Sequence, residues 1–129
     1  MLKAMGPRSD SHLSLSQPSA CCELGSGHHS ARPGLPVLQT ETLTLVLDGR
    51  LDLDPRFSNP LERAAILYRS KGVAGLSDLT GDFALALWDA EIGELVIARD
   101  VIGSRPLYYL DDGQSLVFAS EERALFAAL

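Results

Sequence analysis

The sequence predicts an α+β fold whose strands are sandwiched in layers ordered α, β, β, α. Three observations carry this. "DFALALWD", residues 82–89, is apolar on both faces: Phe83, Leu85 and Leu87 alternate with Ala84, Ala86 and Trp88. A sheet with one wet face would alternate with polar residues, so this one is covered on both sides. The main helical signals lie at 59–72 and 121–129, and strand-like runs fill most of the space between them. The chain has 129 residues, 46% of them hydrophobic and 22% charged, which suits one domain with one modest core.

Residues 1–41 are rich in Ser, Pro, Gly and His and show no sustained period. They read as irregular, with at best a short strand near Cys21 to Leu24. Order begins at 42. "TLTLVLD", 42–48, is a β-branched and leucine-rich strand, and Asp48-Gly49 reads as the turn that ends it. "NPLERAAILYRSKG", 59–72, is the clearest helix. Asn59 can cap it, Pro60 suits its first turn and Gly72 suits the position just past its end. Leu61, Ala64, Ala65 and Tyr68 fall on one face of a 3.6-residue period. Residues 73–79 read as a short second helix or a turn.

A β-meander is expected over 82–120, with strands at 82–89, 94–100, 105–110 and 115–120. Gly93 serves the first turn and Asp111-Asp112-Gly113 the last. Ser120 then caps a final helix with Glu121 and Glu122 in its first turn. Between the second and third strands lies "ARDVIGSRPLYYL". Turn chemistry reads it as a hydrogen-bonded reversal shaped by Asp100 and Gly103. Pro106 sets φ at the entrance to the third strand, and Arg99 and Arg105 are placed to pair with Asp100 or nearby carbonyls.

Charge excludes some roles. The net charge is −6 with no Lys/Arg cluster, a poor footprint for nucleic acid. No apolar run approaches the ~18 residues of a membrane span. The first ten residues lack an apolar signal-peptide core, which makes the cytoplasm the expected location. Cys21 and Cys22 are adjacent, and neighbours bridge only with strain. Together with His28 and His29 they lack zinc-site spacing, so no metal site is expected. Arg50, Asp52 and Asp54 read as a solvated strand end, and Trp88, Tyr108 and Tyr109 as core. No Ser-His-Asp order and no Gly-rich phosphate loop stands out.

"GDFALALWDAEIGELVIARDVIGSRPLYYLDDGQSLVFASEERAL", 81–125, resembles the N-terminal glutamine amidotransferase domain of asparagine synthetases and their relatives. Those domains carry G-x-F-A-[FL]-A-[LI]-W-D, then L-x-[LI]-A-R-D-x-x-G-x-[KR]-P-L-Y-Y, then L-x-F-A-S-E-x-[KR]-A-L. "LVLDGRLDL", 45–53, is collinear with the family's L-x-x-N-G-E-[IL]-Y-N, and "MLKAMGPRSD" resembles its segment ending R-G-P-D. The resemblance implies a four-layer αββα sandwich of the N-terminal-nucleophile hydrolase type, here incomplete at the N-terminus. It also implies glutamine hydrolysis, with ammonia passed to an ATP-dependent synthetase domain that forms an amide on an acyl-adenylate.

Residue by residue, the implied chemistry fails. The family's nucleophile is a cysteine at the mature N-terminus, whereas this chain begins Met1-Leu2 and its cysteines are internal. No catalytic residue is therefore expected. The Asn-Gly pair that donates to the oxyanion is Asp48-Gly49 here, and the Glu that holds the substrate ammonium is Arg50. The family's S-D-x-E reads Asn59-Pro60-Leu61-Glu62, keeping only Glu62, and Arg32 aligns loosely with its carboxylate-binding arginine. Asp48, Gly49, Arg50 and Glu62 are thus a vestigial pocket. Arg99, Asp100, Gly103, Arg105 and Pro106 are a scaffold motif. Two readings follow. One is a docking module, without glutaminase activity, of an asparagine synthetase-like adenylating partner that uses an amine from a peptide or small molecule. The other is the front of a complete glutamine-hydrolysing asparagine synthetase. Either way ATP and magnesium are expected on the synthetase domain and no cofactor on this chain.

Overall fold

A computed structural model describes residues 2–4, 12–16, 36–114 and 116–128. Among these residues, eight strands and two α-helices follow in the order β1 (Leu2–Ala4), β2 (His12–Ser16), β3 (Val37–Gln39), β4 (Leu43–Leu51), α1 (Pro60–Lys71), β5 (Gly81–Asp89), β6 (Glu94–Arg99), β7 (Tyr108–Asp111), β8 (Leu116–Ala119) and α2 (Glu122–Ala128). A 3₁₀ helix, Gly72–Asp78, joins α1 to β5. The first six strands form one antiparallel sheet in the order β1-β2-β6-β5-β4-β3, and β7 and β8 form a second.

Helix α1 forms where its punctuation demands. Asn59 Oδ1 accepts from Leu61 N at 2.9 Å, Pro60 occupies the first turn, and Gly72, at φ 66°, ends the helix. Leu61, Ala64, Ala65 and Tyr68 are its buried stripe, as the period requires. That stripe packs on Leu43, Leu45 and Leu47 of β4, Phe83, Leu85 and Leu87 of β5, and Val96 of β6. The opposite face of the sheet is also dry. Ala86, Leu95 and Ile97 pack there against Trp88 and against Leu107, Leu116 and Phe118 from around the second sheet. The two-sided burial read from 82–89 is what the structure shows: residues 83–87 are all buried.

Three expectations are corrected. Within 1–41, where an irregular stretch was expected, the described residues include three strands, β1, β2 and β3. "HLSLS" at 12–16 alternates with period 2, a strand signal that the surrounding Ser, Pro and Gly obscured. The strand expected near Cys21 lies outside the described residues, as do Cys22, His28, His29 and Arg32. The second correction concerns the meander. β5 and β6 form one hairpin and β7 and β8 another, in different sheets. The chain leaves the first sheet after Arg99, and Pro106 precedes β7 instead of lying at its entrance. Thirdly, Tyr108 and Tyr109 are not core: they are 43% and 51% exposed. Trp88 is half-buried.

At one end of the first sheet a buried polar knot ties α1 down. Tyr68 donates to Asp89 Oδ2 at 3.0 Å and lies 3.4 Å from Glu94 Oε1, with Asp89 and Glu94 facing each other across β5 and β6. Burial, then the hydrogen bond to Asp89 and the charges of both carboxylates, push the phenol well above its usual 10.0, so it remains a donor. Asp89 keeps one further donor, Glu91 N at 3.0 Å. Tyr68→Phe is therefore expected to cost about 1–3 kcal/mol, by leaving a buried carboxylate short of a partner. Urea unfolding of the two proteins at neutral pH measures it, and equal midpoints would show that the knot contributes nothing.

Candidate functional site

The other end of the sheet gathers most of the residues singled out in the sequence. β4 does not turn at Asp48-Gly49. It continues to Leu51, pairing Asp48 with Ala84, Gly49 with Phe83, Arg50 with Asp82 and Leu51 with Gly81. Glycine is needed here for a close approach, not a reversal. At Gly49, φ is +101°, and a Cβ would run into the Asp82 carbonyl and stand 2.9 Å from Arg105 Cγ. Gly81, at φ +140°, repeats this from β5, where a Cβ would meet the Arg50 carbonyl. The two backbones cross too tightly for side chains at either point.

The connection between the sheets runs over this end. Asp100, 7% exposed, is its hub. One carboxylate oxygen accepts from Phe83 N at 3.0 Å; the other accepts from Gly103 N at 2.6 Å and Ser104 N at 3.1 Å. Burial pushes this carboxyl up, but hydrogen bonds from the Ser104, Phe83, Gly103 and Ile102 backbone together outweigh it and hold the group below its ordinary value. Gly103 turns the chain at φ +72°. Ser104 Oγ lies 3.3 Å from Asp82 Oδ1. Arg105 then reaches β4, with Nη1 3.8 Å from Asp48 Oδ1. Asp100 and Gly103 do shape a reversal, while Asp48 is the ion-pair partner of Arg105.

Glu62 is not drawn into this group. Strand alternation puts Asp48 on the sheet face opposite Leu47, which packs beneath α1, whereas Glu62 belongs to α1 itself. Ser58 Oγ donates to Glu62 at 3.1 Å, and among the described residues Glu62 shares no hydrogen bond or ion pair with Asp48 or Arg50. Arg50 is exposed beside Asp82. Asp54 serves a turn. Hydrogen bonds from the Arg56 side chain and backbone lower its carboxyl to about 2, helped by the nearby Arg63 charge. Pro60 begins α1. Sequence reasoning missed Ser104 and Asp82, which tie the connection to β5. The signal for Ser104 was the Asp-x-x-Gly-Ser spacing of an Asx-type turn at 100–104; Asp82 had none, since it meets Ser104 only through the fold.

On the helix side of the same end lies a groove of about 210 Å³. Leu76, Leu79, Phe83 and Ala98 form its floor, Asp100 closes one side, and Val101 and Ile102 project from its rim at 66% and 88% exposure. Among the described residues there is no group of three or more His, Cys, Asp or Glu able to hold a metal ion. No helix among them is long and apolar enough to cross a membrane.

An α+β domain with mixed helix and antiparallel sheet, pinned at one end by an Arg-Asp-x-x-Gly connection, defines the class. A family model described as a glutamine amidotransferase domain matches residues 61–129, and the chain belongs to that family. It is 38% identical over 61 residues to asparagine synthetase [glutamine-hydrolyzing] 2 of Bacillus subtilis (strain 168), covering 47% of this chain and 8% of that protein. It is 49% identical over 61 residues to asparagine synthetase B [glutamine-hydrolyzing] of Escherichia coli (strain K12), covering 46% and 11%. It is 38% identical over 61 residues to the amidase chry2 of Gibberella zeae (strain ATCC MYA-4620 / CBS 123657 / FGSC 9075 / NRRL 31084 / PH-1), covering 47% and 9%. The chain thus spans about a tenth of the length of these relatives. No solved structure gives a significant match.

Proposed function

We propose that this domain is an amidotransferase-type scaffold that does not hydrolyse glutamine and acts as a docking module for an asparagine synthetase-related amide ligase. One observation supports the reading above others. The strand position that the resemblance equates with the oxyanion donors carries Asp48, and its carboxylate faces Arg105 at 3.8 Å. An ionised carboxylate accepts hydrogen bonds, donates none and repels a developing oxyanion. Loss of one such donor lowers a rate by ~10²–10³, and repulsion adds to that. Arg50 is the second adverse change: it sets a cation where an ammonium would have to sit. The four-layer αββα arrangement belongs to this reading. It is supported by α1 on one face of the first sheet, the second sheet on the other, and α2 against β7 and β8. ATP and magnesium act on the adenylating domain, in the cytoplasm, and the amine comes from a peptide or small molecule.

The purified chain incubated with glutamine is expected to release no ammonia above a heat-killed control. Release that scales with protein concentration would overturn the reading. The short span relative to the relatives favours a second reading, in which this is the front of a complete glutamine-hydrolysing asparagine synthetase. The flanking DNA decides between them. Upstream Met-Cys-Gly codons with a synthetase domain downstream establish the second reading, and their absence leaves the first.

A further inference from the structure

The connection between the sheets crosses the ends of three strands in turn. It starts at Asp100, just past β6, is held to β5 through Phe83 N and Ser104–Asp82, and reaches β4 at Arg105. We propose that residues 100–105 are a strap that closes over the Asp48-Gly49 position, with Arg105 as its clasp. What that position is rests on the reading given above; the strap itself rests on geometry.

The two ends of the strap are held unequally. At the anchor, a buried carboxylate accepts three backbone N–H groups. At the clasp, the Arg105 stem lies over the bare Cα of Gly49, and its guanidinium meets Asp48 through one ion pair at 3.8 Å, beyond hydrogen-bonding distance. The two side chains are 43% and 23% exposed, and a solvated pair of this kind is weak and screened by salt. Opening therefore begins at Arg105 while Asp100 holds. Glycine at 49 is the matching half of the device, since any side chain there would displace the Arg105 stem.

Hydrogen exchange of the full chain, read amide by amide, tests this with Arg105→Ala and Asp48→Asn. Exchange at 48–50 is expected to speed up about three- to tenfold in both, with Arg105→Lys between them and the parent. Leu45 and Leu85, deep in the same two strands, should keep their parental rates. Added salt should accelerate 48–50 in the parent and not in Arg105→Ala. Unchanged exchange at 48–50 in both variants would overturn the strap, as would an acceleration that Leu45 and Leu85 share equally. Ammonia release from glutamine by Arg105→Ala but not by the parent would leave the strap standing and overturn the reading of a lost catalytic pocket.

Discussion

Asp100→Ala is expected to lose about 3 kcal/mol of stability, because hydrogen bonds to a charged acceptor are each worth roughly 1.5–3 kcal/mol and part of the loss is recovered by water. For a domain of this size that lowers the melting midpoint by about 10 °C. The carboxylate is the common acceptor for Phe83 N, Gly103 N and Ser104 N, and alanine leaves all three without it. Asp100→Asn should do nearly as much harm, since one of its two acceptor oxygens becomes an NH₂ facing N–H donors. The sign of the pH dependence follows. The folded carboxyl is held below its ordinary value, so this contribution is complete above the unfolded value of ~3.9. It is lost as pH falls through the lower, folded value. Thermal melts from pH 7 downward should show the parent approaching Asp100→Ala in strong acid. A constant gap between the two curves would mean that Asp100 acts through shape and not charge.

Gly49→Ala should be worse. A left-handed φ costs a side-chain-bearing residue about 1–3 kcal/mol, and forced overpacking adds about 1–3 more. The new methyl would strike the Asp82 carbonyl, which cannot move without breaking the ladder between β4 and β5. Gly72→Ala is the control. It too has a positive φ, but nothing lies within 4 Å of the added carbon. Gly72→Ala, which meets only backbone strain at φ 66° and ψ −152°, should cost about 1–3 kcal/mol, and Gly49→Ala, which adds the overpacking, about 3–5 kcal/mol. Midpoints from circular dichroism check the order, and equal midpoints would mean that the crossing is looser than the contacts imply.

Legibility in the sequence tracked how local the cause was. α1 was readable to within a residue because Asn59, Pro60 and Gly72 act on their own neighbours. Burial on both faces of β5 was readable because alternation of apolar with apolar is itself the signal. Which strands share a sheet was not. β6 and β7 look like successive strands of one meander, and only the packing of Leu107, Leu116 and Phe118 on the far face sends the second hairpin elsewhere. Asp48-Gly49 has the composition of a turn, and the tertiary approach of Asp82 turns it into a strand crossing. Of the candidate pocket, Asp48, Gly49 and Arg50 fall together because they are consecutive. Glu62 does not join Asp48, because helix and strand present these residues to opposite faces of the sheet. Asp100 and Gly103 were readable as a reversal, but the reach of Arg105 to β4 depends on where the neighbouring strand lies.

The passage from one sheet to the other also sets a ruler. Between Arg99 and Tyr108 the chain must satisfy Asp100, lay Arg105 on Gly49 and deliver Leu107 beneath Ala86 and Ile97. Each station is fixed at a different point of the first sheet, so one residue added or removed would throw the later stations out of step. Length variation among descendants of this domain would have to settle in the bends at 91–93 and 112–114, where the chain doubles back on itself.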